Sequence, residues 1–186
     1  MNEIVDISKY NPKRNDKFIF DTNIWIYLFY PMGNYNEDIT KKYAGFLKKV
    51  LQSESSIYIF SLTLSEIFNT SMRLEFNIKK NHLHKNIDFK KDFRNTPEGK
   101  KLTSDILMII THKIMKIATR IDDKFSNIPV NRLFDQIENY DFNDRYFLLM
   151  ADLDKFKIVT NDSDFAISSE ISATILTANE KMLSGG

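Results

Sequence analysis

The feature that most constrains the fold is an apolar run that leads directly into an aspartate, FIFDTN at residues 18–23. A short apolar run bounded by Asp, Thr and Asn is typical of a buried strand, and the apolar residues 24–30 that follow predict a helix. Open α/β sheets bind ligands at the carboxyl ends of their strands, where Asp21 would lie. Taken alone, Asp21, Thr22 and Asn23 are equally well explained as helix-capping residues.

Strands and helices are predicted to alternate along the rest of the chain. Amphipathic or apolar segments between the strands predict helices, including one long isoleucine-rich helix over residues 102–123. This order of elements predicts an α/β fold, a three-layer α/β/α sandwich with a mostly parallel central sheet. The further predicted strands are residues 56–60, 157–160 and 173–177.

Length and composition are those of one globular domain. The chain has 186 residues, of which 42% are hydrophobic and 27% charged, so we predict a single domain over residues 1–186. A basic and helical insert is expected at about residues 73–127. The absence of cysteine excludes thiolate metal sites and cysteine nucleophiles and suits a reducing cytoplasm. The polar residues 1–17 do not resemble a signal peptide, and no apolar window is long enough to cross a membrane.

Four acidic sites have comparable positions in the predicted elements. Asp21 ends the first predicted strand, and Glu66 lies in the first turn of the helix after the second. Asp144 begins a helix that is apolar on nearly every side, and Asp162, with Asp164 beside it, follows a third strand. Each has a local explanation, because acidic side chains complement helix amino termini and favour turns. Together they are expected to meet at the carboxyl edge of the sheet.

Converging carboxylates repel one another unless cations neutralise them. Oxygen ligands without sulfur or a histidine set select Mg²⁺ or Mn²⁺. The chemistry that uses such a site is phosphodiester hydrolysis by metal-activated water, with a second ion at the leaving oxygen.

Four segments of this sequence resemble the acidic motifs of the PIN domain family, in the family's order and over roughly residues 17–176. The resemblance implies a compact α/β/α sandwich and a ribonuclease that depends on Mg²⁺ or Mn²⁺, with two ions. The segments are FIFDTN at 18–23, LSEI at 64–67, NDRYFLLMA at 143–151 and IVTNDSDF at 158–165.

The resemblance also implies roles for individual residues. The residues that match the family's catalytic and metal-binding acids are Asp21, Glu66, Asp144 and Asp162. Asp164 matches a frequent fifth metal-binding carboxylate, and Asp141 is assigned only a supporting role. The polar residues that match those orienting the acids are Thr22, Asn23 and Thr160.

The basic stretch at residues 79–101 has eight Lys or Arg against three acidic residues. It is either a solvated, mobile loop or a surface that contacts phosphates, because clustered positive charge supplies most sequence-independent affinity for nucleic acid. Phe89 or Phe93 is a candidate platform for stacked bases. The candidate RNA contacts are Lys90, Lys91, Arg94, Lys113, Lys116 and Arg120.

We therefore expect a cytoplasmic endoribonuclease that cuts single-stranded or loop RNA, and a toxin of a type II toxin–antitoxin pair fits this expectation. The small PIN toxins of the VapC-like group are usually shorter, because they lack the insert. A cognate antitoxin and a second copy of the chain are the candidate partners. The alternative is a PIN-fold module that binds RNA or protein with little turnover. A haloacid-dehalogenase-like phosphatase is disfavoured, because that family has a second Asp where this chain has Asn23.

Overall fold

The sheet of this computed structural model is parallel throughout. The structure describes residues 2–30, 35–135, 138, 141–166 and 171–184. The described strands form one six-stranded sheet in the order β1-β6-β5-β2-β3-β4, and every neighbouring pair is parallel. The strands are β1 Glu3–Asp6, β2 Lys17–Phe20, β3 Ser56–Ile59, β4 Thr119–Arg120, β5 Lys157–Val159 and β6 Thr174–Thr177.

Helices cover both faces of this sheet, which confirms the predicted three-layer α/β/α sandwich. The α-helices are α1 Thr22–Phe29, α2 Glu37–Gln52, α3 Ser61–Leu83, α4 Pro97–His112, α5 Val130–Phe134, α6 Phe142–Asp154 and α7 Glu180–Ser184. A π-helical turn forms Lys90–Arg94, and 3-10 turns form Ile114–Lys116, Phe125–Asn127 and Ser163–Ala166. Among the described residues, no helix is both long and apolar enough to cross a membrane.

Strand β2 shows how the sequence specifies two buried faces. Ile19 packs in the cluster that contains α6, whereas Phe18 and Phe20 pack in the opposite cluster with residues of α1 and α2. Successive side chains of a strand point to opposite faces, so an unbroken apolar run belongs to a strand that is covered on both sides. Helix α6 is buried along residues 145–151, as its apolar surface predicts.

The prediction of one helix over residues 102–123 is wrong. Helix α4 ends at His112, and Thr119–Arg120 pairs with β3 as the edge strand β4. The isoleucine spacing suggested one long helix because inward-facing isoleucines continue after the helix ends. Ile114 is fully buried in a 3-10 turn, and the Ile121 N–H donates to the Ile59 carbonyl of the sheet. Isoleucine is also favoured in strands, so its spacing does not distinguish the two structures here.

The basic stretch is mostly helical rather than an irregular loop. It comprises the end of α3, the π-helical turn and the start of α4. Phe93 of the π-helical turn is buried with Met72 and Ile106, which joins this region to α3 and α4. Helix α4 approaches the turn so closely that a Cβ atom on Gly99 would lie 2.2 Å from the Phe93 carbonyl oxygen. Close backbone approach therefore requires glycine at this position.

Candidate active site

The order of the strands places the four predicted acidic residues around one cavity. Strands β2 and β5 are neighbours, so Asp21 and Asp162 follow adjacent strand ends. Glu66 on α3 and Asp144 on α6 come from the helices on either side of the sheet, and all four residues line a cavity of about 310 Å³, here called the acidic cavity. Glu66 lies in the second turn of α3, not the first, because the helix begins at Ser61.

Asp21 is both a helix cap and a member of this cavity. Its Oδ1 accepts a hydrogen bond of 2.6 Å from the Thr22 backbone N–H at the start of α1. Its Oδ2 accepts hydrogen bonds from the Thr160 hydroxyl at 2.7 Å and from the Asn23 amide at 2.5 Å. The capping role of Asp21 is compatible with a role as a metal ligand, because each hydrogen-bonded carboxylate oxygen keeps further lone pairs.

Glu66 is held by side chains from two other helices. The Thr22 hydroxyl on α1 donates to Glu66 Oε2 at 2.8 Å, and the Asn143 amide on α6 donates to Oε1 at 3.4 Å. Thr22 is buried and the other two residues are partly buried. The Glu66 carboxylate thus connects α1, α3 and α6 at the edge of the cavity.

Asp141 and Asp144 are linked through the amino terminus of α6. Asp141 caps the helix, because its Oδ1 accepts from the Asp144 N–H at 2.9 Å, and it also lines the acidic cavity. Asp162 is oriented by its own backbone, whose N–H donates to the Thr160 hydroxyl at 3.0 Å. Asp164 is exposed on the following 3-10 turn and does not line the cavity; its N–H donates to Asp162 Oδ1 at 3.0 Å.

A hydrogen-bonded network supports the loop that carries Asp162. The hydroxyl of fully buried Tyr43 donates to the Thr160 carbonyl at 2.8 Å, accepts from the Ala178 N–H at 2.9 Å and lies 3.1 Å from Asn161 Oδ1. The Asn179 amide donates to the Asn161 carbonyl at 2.8 Å. The network ties α2 to the ends of β5 and β6.

Sequence reasoning missed four of these supporting residues. Asn143 and Asn161 lie within the acidic motifs, directly before Asp144 and Asp162, so their position was an available signal. Tyr43 and Asn179 gave no such signal, because a tyrosine on the apolar stripe of α2 is indistinguishable from ordinary core and Asn179 lies between elements.

Crowding of carboxylates changes their protonation. Burial raises the pKa of Asp21 to about 7, against the hydrogen bond from Thr160, and the charge of Glu66 adds to the rise. Burial also raises the pKa of Asp144 to about 8, with further contributions from the charges of Asp141 and Asp21. A cation that approached these groups would favour their charged forms and lower both pKa values.

The side chains that line the cavity are of the chemical type that binds a hard divalent cation. Carboxylate oxygens dominate, which is the ligand type that Mg²⁺ and Mn²⁺ prefer. Within the described part of the chain, no group of three His, Asp or Glu side chains is arranged closely enough to form a complete ion site. Binding an ion would therefore require the cavity acids to draw together. The hydrogen-bonded oxygens of Asp21 and Glu66 keep further lone pairs for such an ion.

The predicted basic contacts lie outside the acidic cavity. All six are exposed, and none forms an ion pair with an acidic side chain in the described ranges. Arg120 instead borders a separate cavity of about 910 Å³. The positions are Lys90, Lys91 and Arg94 in the π-helical turn, Lys113 and Lys116 just after α4, and Arg120 on β4.

The predicted stacking platform is wrong for Phe93, which is only 2% exposed. Phe89 is partly buried: its ring makes an edge contact with Phe76 at 5.3 Å between centroids, and the Arg73 guanidinium lies 5.7 Å from its centroid. The phenylalanines of the basic stretch pack between α3 and α4. The number of charged residues around them in the sequence does not indicate this burial.

Fold and site define an α/β/α domain with a carboxylate-lined cavity at the carboxyl edge of a parallel sheet. The model of the PIN domain family matches residues 18–168, and the chain belongs to that family. PIN domains are generally nucleases that use divalent metal ions.

Two solved structures are similar to this chain at low sequence identity. The structure of VapBC2 from Rickettsia felis, bound to a DNA fragment from their promoter, is 17% identical with a TM-score of 0.50, over 86% of this chain and 96% of that chain. PAE2754 from Pyrobaculum aerophilum is 12% identical with a TM-score of 0.43, over 96% of this chain and 94% of that chain. No curated protein matches the sequence significantly.

Proposed function

We propose that this protein is a metal-dependent endoribonuclease that hydrolyses RNA phosphodiester bonds. The observation that carries the proposal is the convergence of Asp21, Glu66, Asp144 and Asp162 on one cavity in a chain of the PIN domain family. Four carboxylates from four different elements are costly to bring together, and a site for cations explains why they meet.

The four cavity acids would hold Mg²⁺ or Mn²⁺, as two ions, and Asp164 is proposed as a further ligand from its exposed position. When bound, such ions activate water and neutralise charge on the phosphate and the leaving oxygen. The chain's own polar groups position the acids. Thr22 and Asn143 hold Glu66, whereas Thr160 and Asn23 hold Asp21, so each carboxylate has one fixed orientation.

Single-stranded or loop RNA in the cytoplasm is the proposed substrate. The exposed Lys90, Lys91 and Arg94 have no acidic partners among the described residues, so they are available to contact phosphates. Lys113, Lys116 and Arg120, which follow the end of α4, are proposed as further contacts.

A toxin of a type II toxin–antitoxin pair is the proposed biological role, with an antitoxin protein and a second copy of the chain as partners. The likeness in fold to VapBC2, a complex solved with a fragment of promoter DNA, supports this role. An antitoxin gene next to the gene for this chain would support the role further.

Cleavage of total RNA by the purified protein tests the enzymatic proposal. Reactions contain Mg²⁺, Mn²⁺ or a chelator, and the Asp21→Asn, Asp144→Asn double variant is compared with Asp105→Asn, which changes an exposed acid on α4. We expect metal-dependent cutting that falls more than about 100-fold in the double variant, because losing ligands costs more than losing their supports. Equal activity of the double variant and the control would refute the assignment.

A second candidate is a PIN-fold module that binds RNA or protein with little turnover. It is favoured by one observation: hydrogen bonds occupy both oxygens of Asp21 and both of Glu66. Folded protein that binds RNA in the presence of either metal but never cuts it would support this candidate.

A further inference from the structure

The acidic cavity changes in character along two packed helices. On α1, Tyr27 follows Asn23 by four residues, and on α3, Thr70 and Leu74 follow Glu66 at the same spacing. Residues four apart share one face of a helix and are separated by one turn, about 6 Å along the axis. The cavity therefore passes from carboxylates at the amino ends of both helices to aromatic and apolar side chains one to two turns further on.

Two tyrosines form the wall at this apolar end. The rings of Tyr27 and Tyr35 lie 4.8 Å apart between centroids at an interplanar angle of 58°, and both line the cavity while remaining partly exposed. Fully buried Tyr43 packs against Tyr27 at 6.2 Å, which fixes the Tyr27 ring from the interior. The buried side chain of Ile26 also lines the cavity.

We propose that Tyr27 and Tyr35 form a subsite for one nucleobase of a single-stranded RNA, next to the phosphate that the acids bind. This inference rests on the proposed ribonuclease function and names how its substrate is held. Aromatic rings supply binding energy to any base by stacking, without reading its edge. The subsite replaces Phe93, which is buried, as the stacking platform of this protein.

The dimensions and chemistry of the cavity favour one unpaired nucleotide. Its volume of about 310 Å³ is at the small end of ligand sites. A base within a duplex is stacked on its neighbours and cannot turn its face towards a protein ring, whereas an unpaired base can. We therefore expect a requirement for single-stranded RNA with little preference among the four bases.

Photochemical crosslinking tests the contact without any turnover. A single-stranded RNA oligonucleotide that carries 5-iodouridine is irradiated with the cleavage-impaired Asp144→Asn variant in Mn²⁺, and the crosslinked peptides are identified by mass spectrometry. We expect crosslinks at Tyr27 or Tyr35, and their loss when the same RNA is first annealed to its complement. Crosslinks that occur only on other peptides would overturn the subsite.

Cleavage kinetics provide a second test with ring-retaining and ring-removing variants. Tyr27→Phe and Tyr35→Phe keep the stacking surface and should cleave within about threefold of the unaltered protein. Tyr27→Leu and Tyr35→Leu should raise the KM for single-stranded RNA at least about fivefold, the lower end of what loss of one stacked base causes. Tyr58→Leu is the control, because Tyr58 is also partly buried and packs on one ring, Phe156, but borders the other cavity.

The two proposals fail in different ways. If the protein never cuts RNA, the enzymatic proposal fails, while crosslinking still decides whether Tyr27 and Tyr35 hold a base. If the protein cuts RNA but the leucine variants match Tyr58→Leu in KM, the subsite is overturned and the ribonuclease proposal stands. A purely structural role for the pair would lower the melting temperature of the leucine variants without changing KM.

Discussion

Asp144 illustrates how a carboxylate that is placed to bind a cation destabilises the folded protein when no cation is bound. Its carboxylate is partly buried, and charged Asp141 and Asp21 lie close by, so the pKa rises to about 8. No described side chain donates a hydrogen bond to this carboxylate, in contrast to Asp21 and Glu66. In the metal-free protein, its negative charge is therefore opposed by its surroundings.

The sign of the resulting pH dependence is fixed by the direction of the shift. The pKa is higher in the folded than in the unfolded chain, so the folded state favours the protonated carboxyl. That stabilising effect is complete below the unfolded value of 3.8 and is lost as the pH rises through the folded value of about 8. The free energy of unfolding of the metal-free protein should fall over this interval because of Asp144.

We predict that Asp144→Asn stabilises the metal-free protein at pH 8 but not at pH 4. The neutral amide removes a buried charge and its repulsion by the neighbouring carboxylates at pH 8. The gain should be about 1–2 kcal/mol, reduced from the full shift because solvent reaches the group. Urea denaturation in EDTA at both pH values measures it, with Asp105→Asn as the exposed control. An equal increase in the free energy of unfolding at pH 4 and pH 8 would show that the charge of Asp144 is not the cause.

At the scale of elements, Tyr43 shows that α2 contributes to the site although no residue of α2 lines the acidic cavity. We predict that Tyr43→Phe destabilises the protein by about 1–3 kcal/mol, because the Thr160 carbonyl and the Ala178 N–H lose their buried partner. Thermal unfolding measures the effect. Tyr58→Phe is the control, since the Tyr58 hydroxyl has no described hydrogen-bond partner, and an equal loss in both variants would exclude the network as the cause.

The packing of α4 on the π-helical turn can be tested with two glycines. We predict that Gly99→Ala destabilises the protein, because the new Cβ would lie 2.2 Å from one carbonyl oxygen and 2.7 Å from another, and backbone cannot move aside easily. Gly45→Ala on α2 is the matched control: apart from the chain neighbours and its own helix backbone, no atom lies within 4 Å of the new Cβ, so we expect stabilisation of about 0.5–1 kcal/mol. Urea denaturation should show a lower free energy of unfolding for Gly99→Ala and a higher one for Gly45→Ala. An unchanged free energy of unfolding in Gly99→Ala would show that α4 can shift.

Elements in the centre of the sheet could be predicted from sequence, whereas those at its edges could not. Strands β2 and β5 are covered by helices on both faces, so their sequences contain consecutive apolar residues that predict a strand. Strand β1 is polar at both ends and partly exposed, and among the described strands it pairs with β6 alone, so the prediction missed it. Strand β4 has two residues, both exposed, and its pairing depends on β3 rather than on its own sequence.

At the scale of the whole molecule, the parallel direction of the strands is what allowed the acidic site to be anticipated. Parallel strands all end at one edge, so Asp21 and Asp162 were expected at the same edge, and the observed pairing of β2 with β5 makes them neighbours there. The side chains that orient them come from elements far apart in sequence, such as Tyr43 and Asn179, and no local pattern encodes these meetings. The apolar end of the cavity was unpredictable for the same reason, since Tyr35 and Leu74 meet only through packing.

The uneven charge of the whole molecule allows a last prediction about RNA binding. The net charge is only +1, so any electrostatic affinity must come from a local surface. We predict that replacing Lys90, Lys91 and Arg94 together by Ala lowers the dependence of log Kd on log salt by about 2, since each phosphate contact with single strands contributes roughly 0.7. Fluorescence anisotropy of a labelled single-stranded RNA measures it in the Asp144→Asn background.

A control with the same change in net charge separates local contact from overall attraction. Lys13 and Arg14 precede β2, and Lys48 lies near the end of α2, which precedes β3. These three exposed residues therefore lie towards the amino edge of the sheet, away from the acids that follow the strands. Their replacement by Ala also removes three positive charges but should leave the salt dependence nearly unchanged. Equal slopes in both triple variants would mean that RNA responds to total charge, and Lys90, Lys91 and Arg94 would then no longer be assigned as local phosphate contacts.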